Sequence, residues 1–320
     1  MGQHRRPAGK GRTRLIWLVL ATLFGTGMIV VVPSANADSP ITTRIDADWV
    51  RRTVLELPPT TLTAGEPRYL YGHYGAHTST GLLQGVQIRC TSEGNTYESV
   101  NTTMDHPGDG SVRVVAVRWL FTPPVTGEYR CAMNGFATHI NPEGKYLTVV
   151  GGDRTRLTMS APAPGGVEWR IPAGHNPRVD YDRPETSTRE DIAKVLNHRF
   201  EARPDATGIA VRTGVEVSRV STGGNSPFVA RTTLRVTQLD ANGAACTSAV
   251  TTSKTTTFDV HHIKVHLDLD VPIRTTGGCT RMFAVETVVQ YLPHPNHPQV
   301  VRHGGMVEDG VYSNTLVLNT

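Results

Sequence analysis

Histidine and tyrosine are the residues of this chain whose types and spacing could do chemistry. The chain holds 13 histidines. The segment Tyr291-Leu292-Pro293-His294-Pro295-Asn296-His297-Pro298 places His294 and His297 three residues apart, with His303 following. That spacing lets imidazoles converge on one zinc or copper ion, and the prolines limit the entropy lost on ordering; no cysteine or acidic neighbour completes a four-ligand set. A second pair, His262 and His266, would share one face of a strand but lie about 13 Å apart, too far for one ion. With Lys264 between them and Asp268 beyond, that face is expected to be solvated. Tyr69, Tyr71 and Tyr74 form the one aromatic cluster, in Tyr69-Leu70-Tyr71-Gly72-His73-Tyr74. Tyr69 and Tyr71 fall on one strand face, where they could stack on a sugar ring or anchor a partner protein.

The usual catalytic constellations are missing. The sequence has no Gly-x-Ser-x-Gly elbow, no His-Glu-x-x-His, no phosphate-cradling glycine loop and no Cys-x-x-Cys. Its adjacent carboxylates, Glu190-Asp191 and Asp268 with Asp270, fall on faces expected to be wet. No catalytic residue and no cofactor is therefore assigned. The expectation is a non-catalytic protein that binds a protein or glycan ligand through loops and strand edges, or serves a structural role. A secreted hydrolase with an unfamiliar site, or an inhibitor of a secreted enzyme, is the rival class. Metal capture through His294, His297 and His303 is the third.

The elements that must position these residues begin with an export segment. Arg5, Arg6, Lys10, Arg12 and Arg14 precede an apolar run from Leu15 to Val32, and Ala35-Asn36-Ala37 follows it. A basic start, an apolar middle and a small-x-small end define a secretory signal peptide, here residues 1–37 with cleavage after Ala37. The run is short for a membrane span, no cysteine follows to take a lipid, and no stable membrane insertion is expected after cleavage. Of the 32 basic residues, five leave with the signal, so 27 face 28 acidic residues in the mature chain. A nearly neutral chain without a basic stripe offers nothing to nucleic acid. The expected partners are an extracellular protein or a cell-wall glycan, and the expected location is outside the cell.

Cys90, Cys131, Cys246 and Cys279 make an even count, which in an exported protein reads as disulfides, with three pairings open. An internal repeat chooses among them. Shifting the numbering by 148 lays Cys131 on Cys279 and Pro124 on Pro272. The same shift lays Val115, Val117, Trp119 and Phe121 on Ile263, Val265, Leu267 and Leu269. Cys-Thr-Ser also occurs in both copies, at Cys90 and Cys246. A duplication implies pairing within each copy, Cys90–Cys131 and Cys246–Cys279.

Short β-branched segments bounded by Gly, Pro, Asn and Asp dominate the mature chain, an all-β pattern of sandwich or barrel type. Ser187-Thr188-Arg189-Glu190 is a capping box, and 191–196 is expected to make two or three helical turns. Gly127-Glu128-Tyr129-Arg130-Cys131 resembles the tyrosine corner of immunoglobulin-like domains, in which a tyrosine two residues before the second cysteine bonds back to nearby backbone. The resemblance implies two tandem immunoglobulin-like β-sandwich domains, each with one disulfide. The first spans residues 38–155 and the second 156–320, with Gly151-Gly152 and Ala161–Gly166 marking the seam.

Overall fold

The structure, a computed structural model, describes residues 34–36, 41–171, 178–179, 192–219, 228–258, 262–292, 305–307 and 312–320. Every regular element among them is a strand. The first half runs β1 (Ser34–Asn36), β2 (Arg44–Asp46), β3 (Arg52–Glu56), β4 (Thr60–Leu62), β5 (Arg68–His77), β6 (Leu82–Ser92), β7 (Asn95–Glu98), β8 (Thr102–His106), β9 (Arg113–Phe121), β10 (Gly127–Thr138) and β11 (Tyr146–Pro162). The second half runs β12 (Val167–Arg170), β13 (Arg178–Val179), β14 (Ile192–Glu201), β15 (Gly208–Arg219), β16 (Phe228–Asp240), β17 (Val250–Phe258), β18 (His262–Pro272), β19 (Cys279–Leu292), β20 (Gly305–Val307) and β21 (Asn314–Asn319).

Each half is a pair of antiparallel sheets, and the two pairs share one connectivity. In the first half β11–β5–β9 form the spine of one sheet, while β3–β10–β6–β7 form the other. In the second half β21–β15–β18 and β14–β19–β16–β17 take the same places. The internal repeat thus reappears as matching strand orders, with β9 and β18 as counterparts. The alternation read in these two strands holds as well. Val115, Val117, Trp119 and Phe121 enter the first core, and Val265 and Leu267 enter the second, with Leu269 packed against it. Phe121 stands at the centre of an aromatic group, 4.7 Å from Trp119, 5.4 Å from Tyr129 and 5.5 Å from Tyr97 between ring centroids.

Both disulfides pair within a half, Cys90 with Cys131 and Cys246 with Cys279. Cys90 and Cys131 are direct cross-strand partners of β6 and β10, with Cα atoms 4.0 Å apart. The bond therefore staples two strands of one sheet instead of joining two sheets. The Tyr129 hydroxyl donates to the Val125 carbonyl at 2.9 Å.

Two expectations change. The seam expected after residue 155 falls inside β11, because Arg156–Met159 pair with Leu70–His73 of β5. The chain leaves the first pair of sheets only beyond Pro162. The helix expected over 191–196 gives way to strand from Ile192, whose residues pair along β19; residues 187–191 lie outside the described set. A local cap signal weighs less than a full-length ladder on a neighbouring strand. Finally, Ser34–Asn36 lie within the expected signal peptide yet pair with Arg156–Thr158. Cleavage after Ala37 would remove that strand and bare this stretch of β11.

Candidate functional site

The tyrosine cluster does not form one surface. Tyr74 is a core residue with 0% exposure, and its hydroxyl donates to the Gly85 carbonyl at 2.8 Å. Tyr69 and Tyr71 do share the outward face of β5, as their spacing requires, but that face is covered by the second half. Tyr69 packs with Leu120, Ala163, Leu316 and Leu318, and burial pushes its phenol up to about 12. Tyr71 lies beside Arg118, whose guanidinium carbon is 5.9 Å from the ring centroid; burial raises its phenol too. The cluster therefore divides between a core and a junction. His294, His297 and His303 lie outside the described residues. Among the described residues no group of three His, Cys, Asp or Glu side chains could hold a metal ion.

The junction is built from charged side chains that meet strand edges. Arg118, 7% exposed, donates from Nη1 to the Thr213 and Leu267 carbonyls at 3.2 and 3.3 Å, and from Nη2 to Asp268 at 3.0 Å. The Glu168 carboxylate accepts from the Leu120 backbone N–H at 3.1 Å, and the Asn314 amide donates both to Glu168 and to the Arg118 carbonyl at 2.9 Å. Glu216, 1% exposed, accepts from the Thr103 N–H at 3.0 Å and from its hydroxyl. Lys264 donates to the Tyr312 carbonyl. Lys264 and His266, on the face expected in solvent, are therefore partly buried, while Asp268 stays exposed. Burial lowers the Lys264 ammonium to about 8. It holds the His266 imidazole well below its usual value, with Arg118 and Lys264 adding repulsion.

A different surface is both exposed and organised. The two well-exposed aromatic side chains among the described residues are Trp49 at 55% and Tyr146 at 41%. A line of ion pairs joins them. The Arg44 guanidinium carbon sits 4.1 Å from the Tyr146 ring centroid, and Arg44 Nε donates to Asp46 Oδ1 at 2.8 Å. Arg52 Nη2 reaches Asp46 Oδ2 at 3.2 Å and Asp48 Oδ2 at 2.7 Å, while Arg52 Nη1 donates to Asp48 Oδ1 at 2.8 Å. This two-point grip holds the Asp48 carboxyl down at about 2 and raises the Arg52 guanidinium.

Trp49 follows Asp48 with a left-handed φ of 64°. For a bulky side chain that conformation costs about 1–2 kcal/mol. Several contacts hold it there. The Trp49 N–H donates to the Ala137 carbonyl at 2.9 Å, and Asp48 Oδ1 accepts from the Val50 N–H at 3.0 Å. The indole stacks on Phe136 at 5.6 Å and 19°. Phe136 in turn lies on Gly85, where an added Cβ would stand 2.1 Å from the ring. Glycine at 85 thus lets Phe136 settle and Trp49 rest upon it. Tyr146 is set by register: it pairs with Asp46, while the neighbouring Ile45 and Leu147 point into the core at 0% exposure. Because Trp49 lies three positions after Asp46, the two rings stem from backbone within about 16 Å of one another. Sequence reasoning missed both rings. The available signal was a tryptophan set among Asp48, Arg51 and Arg52, outside any alternating pattern.

No family profile and no curated protein matches the chain. Among solved structures it is similar over 94% of its length to the N-terminal CBM22-1–CBM22-2 tandem domain of Paenibacillus barcinonensis Xyn10C, all of which it covers, at 12% identity and a TM-score of 0.27. PNGF-II is matched over 90% of this chain and 65% of its own, at 9% identity and a TM-score of 0.33. The stem and receptor-binding domain of spike protein P1 from bacteriophage PM2 is matched over 93% and 100%, at 10% identity and a TM-score of 0.23. Scores of this size assign this chain neither a shared fold nor a shared role.

Proposed function

We propose that the chain is an exported, non-catalytic binding protein that holds a glycan on the surface between Trp49 and Tyr146. In this reading a signal peptide directs it out of the cell, and each half is an immunoglobulin-like domain. The hydrogen bond of Tyr129 supports the family likeness, while the disulfide inside one sheet departs from it.

One observation carries the reading. A tryptophan is kept half out of the protein in a strained backbone conformation, pinned by a bidentate ion pair and a two-ring stack. Strain held in place by several independent contacts points to a role for the displayed group. A fixed aromatic face beside planar Arg and Asp side chains suits a sugar, whose C–H faces stack on rings and whose hydroxyls pair with guanidinium and carboxylate. The ordering entropy is spent during folding, so less remains to be lost on binding.

A glycan array probed with the full secreted chain tests this. The expected result is retention of at least one glycan class, weakened about tenfold or more in Trp49→Ala, the loss equivalent to one good aromatic contact. An array silent for the wild type, or equal binding by Trp49→Ala with unchanged thermal stability, refutes it.

A further inference from the structure

A cleft of about 190 Å³ lies at the Tyr146 end of this surface, lined by His77, Thr78, Ser79, Thr80, Gly110, Gly144, Tyr146 and Thr148. Strand register explains how it forms. Tyr146 and Thr148 are two residues apart on β11 and so share its outward face, and His77 of β5 stands directly opposite Thr148. The floor is therefore one patch of sheet. Its walls are two turns tied to each other: Thr78 Oγ1 accepts from the Thr80 N–H at 3.2 Å, and the Thr78 carbonyl accepts from the Gly110 N–H at 3.0 Å. Asp109 fixes the second turn through the Ser111 N–H at 2.9 Å. Gly110 and Gly144 have φ of 76° and 69°, and a Cβ at either would meet nothing within 4 Å. At these positions glycine satisfies the turn and leaves the rim low.

We infer that this cleft takes a single neutral sugar ring stacked on Tyr146, a subsite next to the Trp49 platform. The inference rests on the glycan-binding reading above and narrows it. Arg44 covers the Tyr146 ring from outside the cleft and does not line it, so the cleft meets the part of the ring that Arg44 leaves free. The lining offers hydroxyls, an imidazole and a phenol, with no carboxylate, guanidinium or ammonium group. Such a lining pairs with sugar hydroxyls and gives a uronic acid or amino sugar no counter-charge. The volume falls below the roughly 300–1,000 Å³ of clefts that enclose drug-sized ligands, which suits one ring of a longer chain.

Titration calorimetry of the full secreted chain against neutral hexasaccharides built of glucose, mannose or xylose, with a galacturonic acid hexamer as the charged comparison, tests the inference. Tyr146→Ala and the cleft-filling Ser79→Trp are expected to weaken a neutral ligand about tenfold. Ser79 is exposed, so its replacement leaves the core untouched. If Tyr146→Ala and Ser79→Trp both bind like the wild type while Trp49→Ala does not, the cleft is overturned and the platform stands. Binding of the charged hexamer alone overturns the neutral class. Silence towards every sugar overturns both readings together.

Discussion

Acidification should weaken the junction through His266. Its two ring nitrogens are enclosed. Arg118 of β9, Lys264 of β18 and Lys254 of β17 oppose protonation, while the Ala116 backbone favours it weakly; Glu216 of β15, Glu168 of β12 and Asp268 complete the surrounding charges. The native imidazole therefore stays neutral well below the value it has when unfolded. A depressed imidazole gives stability that is whole above about pH 6.5 and is lost as pH falls below it, because the unfolded chain then binds the extra proton. At 1.36 kcal/mol per pH unit below the unfolded value, the loss at pH 5 is at most about 2 kcal/mol. For a chain of 320 residues that is about 3 °C in Tm. The assay is thermal unfolding of wild type and His266→Leu at pH 7.5, 6.5, 5.5 and 5.0. The variant removes one titration, so between pH 6.5 and pH 5 the wild type should lose up to about 2 kcal/mol more than the variant. His106, buried and also lowered by desolvation, remains in both proteins, so part of the acid slope persists. Parallel curves would refute the reasoning.

Two further outcomes follow from the packing. Gly85→Ala should destabilise by about 1–3 kcal/mol, since its Cβ would displace the Phe136 ring, and should redden Trp49 emission as the stack loosens; unchanged stability and spectrum would contradict the stacked pile. The double variant Cys90→Ala/Cys131→Ala opens a closed segment with a sequence separation of 41. Urea unfolding should show a loss of about 3–4 kcal/mol, and an unchanged midpoint would count against the staple.

What could be read from the sequence was whatever depends on period. Alternation assigned Val115, Val117, Trp119 and Phe121 to the first core, and Val265 and Leu267 to the second, because a strand turns every second side chain the same way. The repeat carried the disulfide pairing because both copies place a cysteine at the same register. Period alone says which side chains share a face, not what the face meets. Lys264 and His266 alternate as cleanly as any solvated strand, yet the first half closes over them. Tyr69 and Tyr71 share a face, as their spacing requires, but lie against Leu120 and Arg118. Trp49 follows no period. Its exposure depends on partners at 52, 136 and 137, distant or irregular in sequence, and on a backbone angle that residue type alone disfavours.

The junction and the candidate site occupy opposite margins of one sheet. In the order β11–β5–β9, β9 ends the sheet on the junction side, and β11 with β2 forms the margin that carries Arg44, Asp46 and Tyr146. Open strand edges invite pairing with other chains. Here β9 is closed by the Glu168 carboxylate and the Asn314 amide, and β8 by Glu216, without another strand being added. Hydrogen bonds to charged groups are worth about 1.5–3 kcal/mol each where water is excluded. A few of them can fix the second half in one orientation while leaving both cores complete. The covered face takes Tyr69 and Tyr71, and the margin with Trp49 and Tyr146 stays open. The proposed ligand site and the acid response thus rest on different residues. A change at His266 can alter how firmly the halves are joined without touching Trp49 or Tyr146.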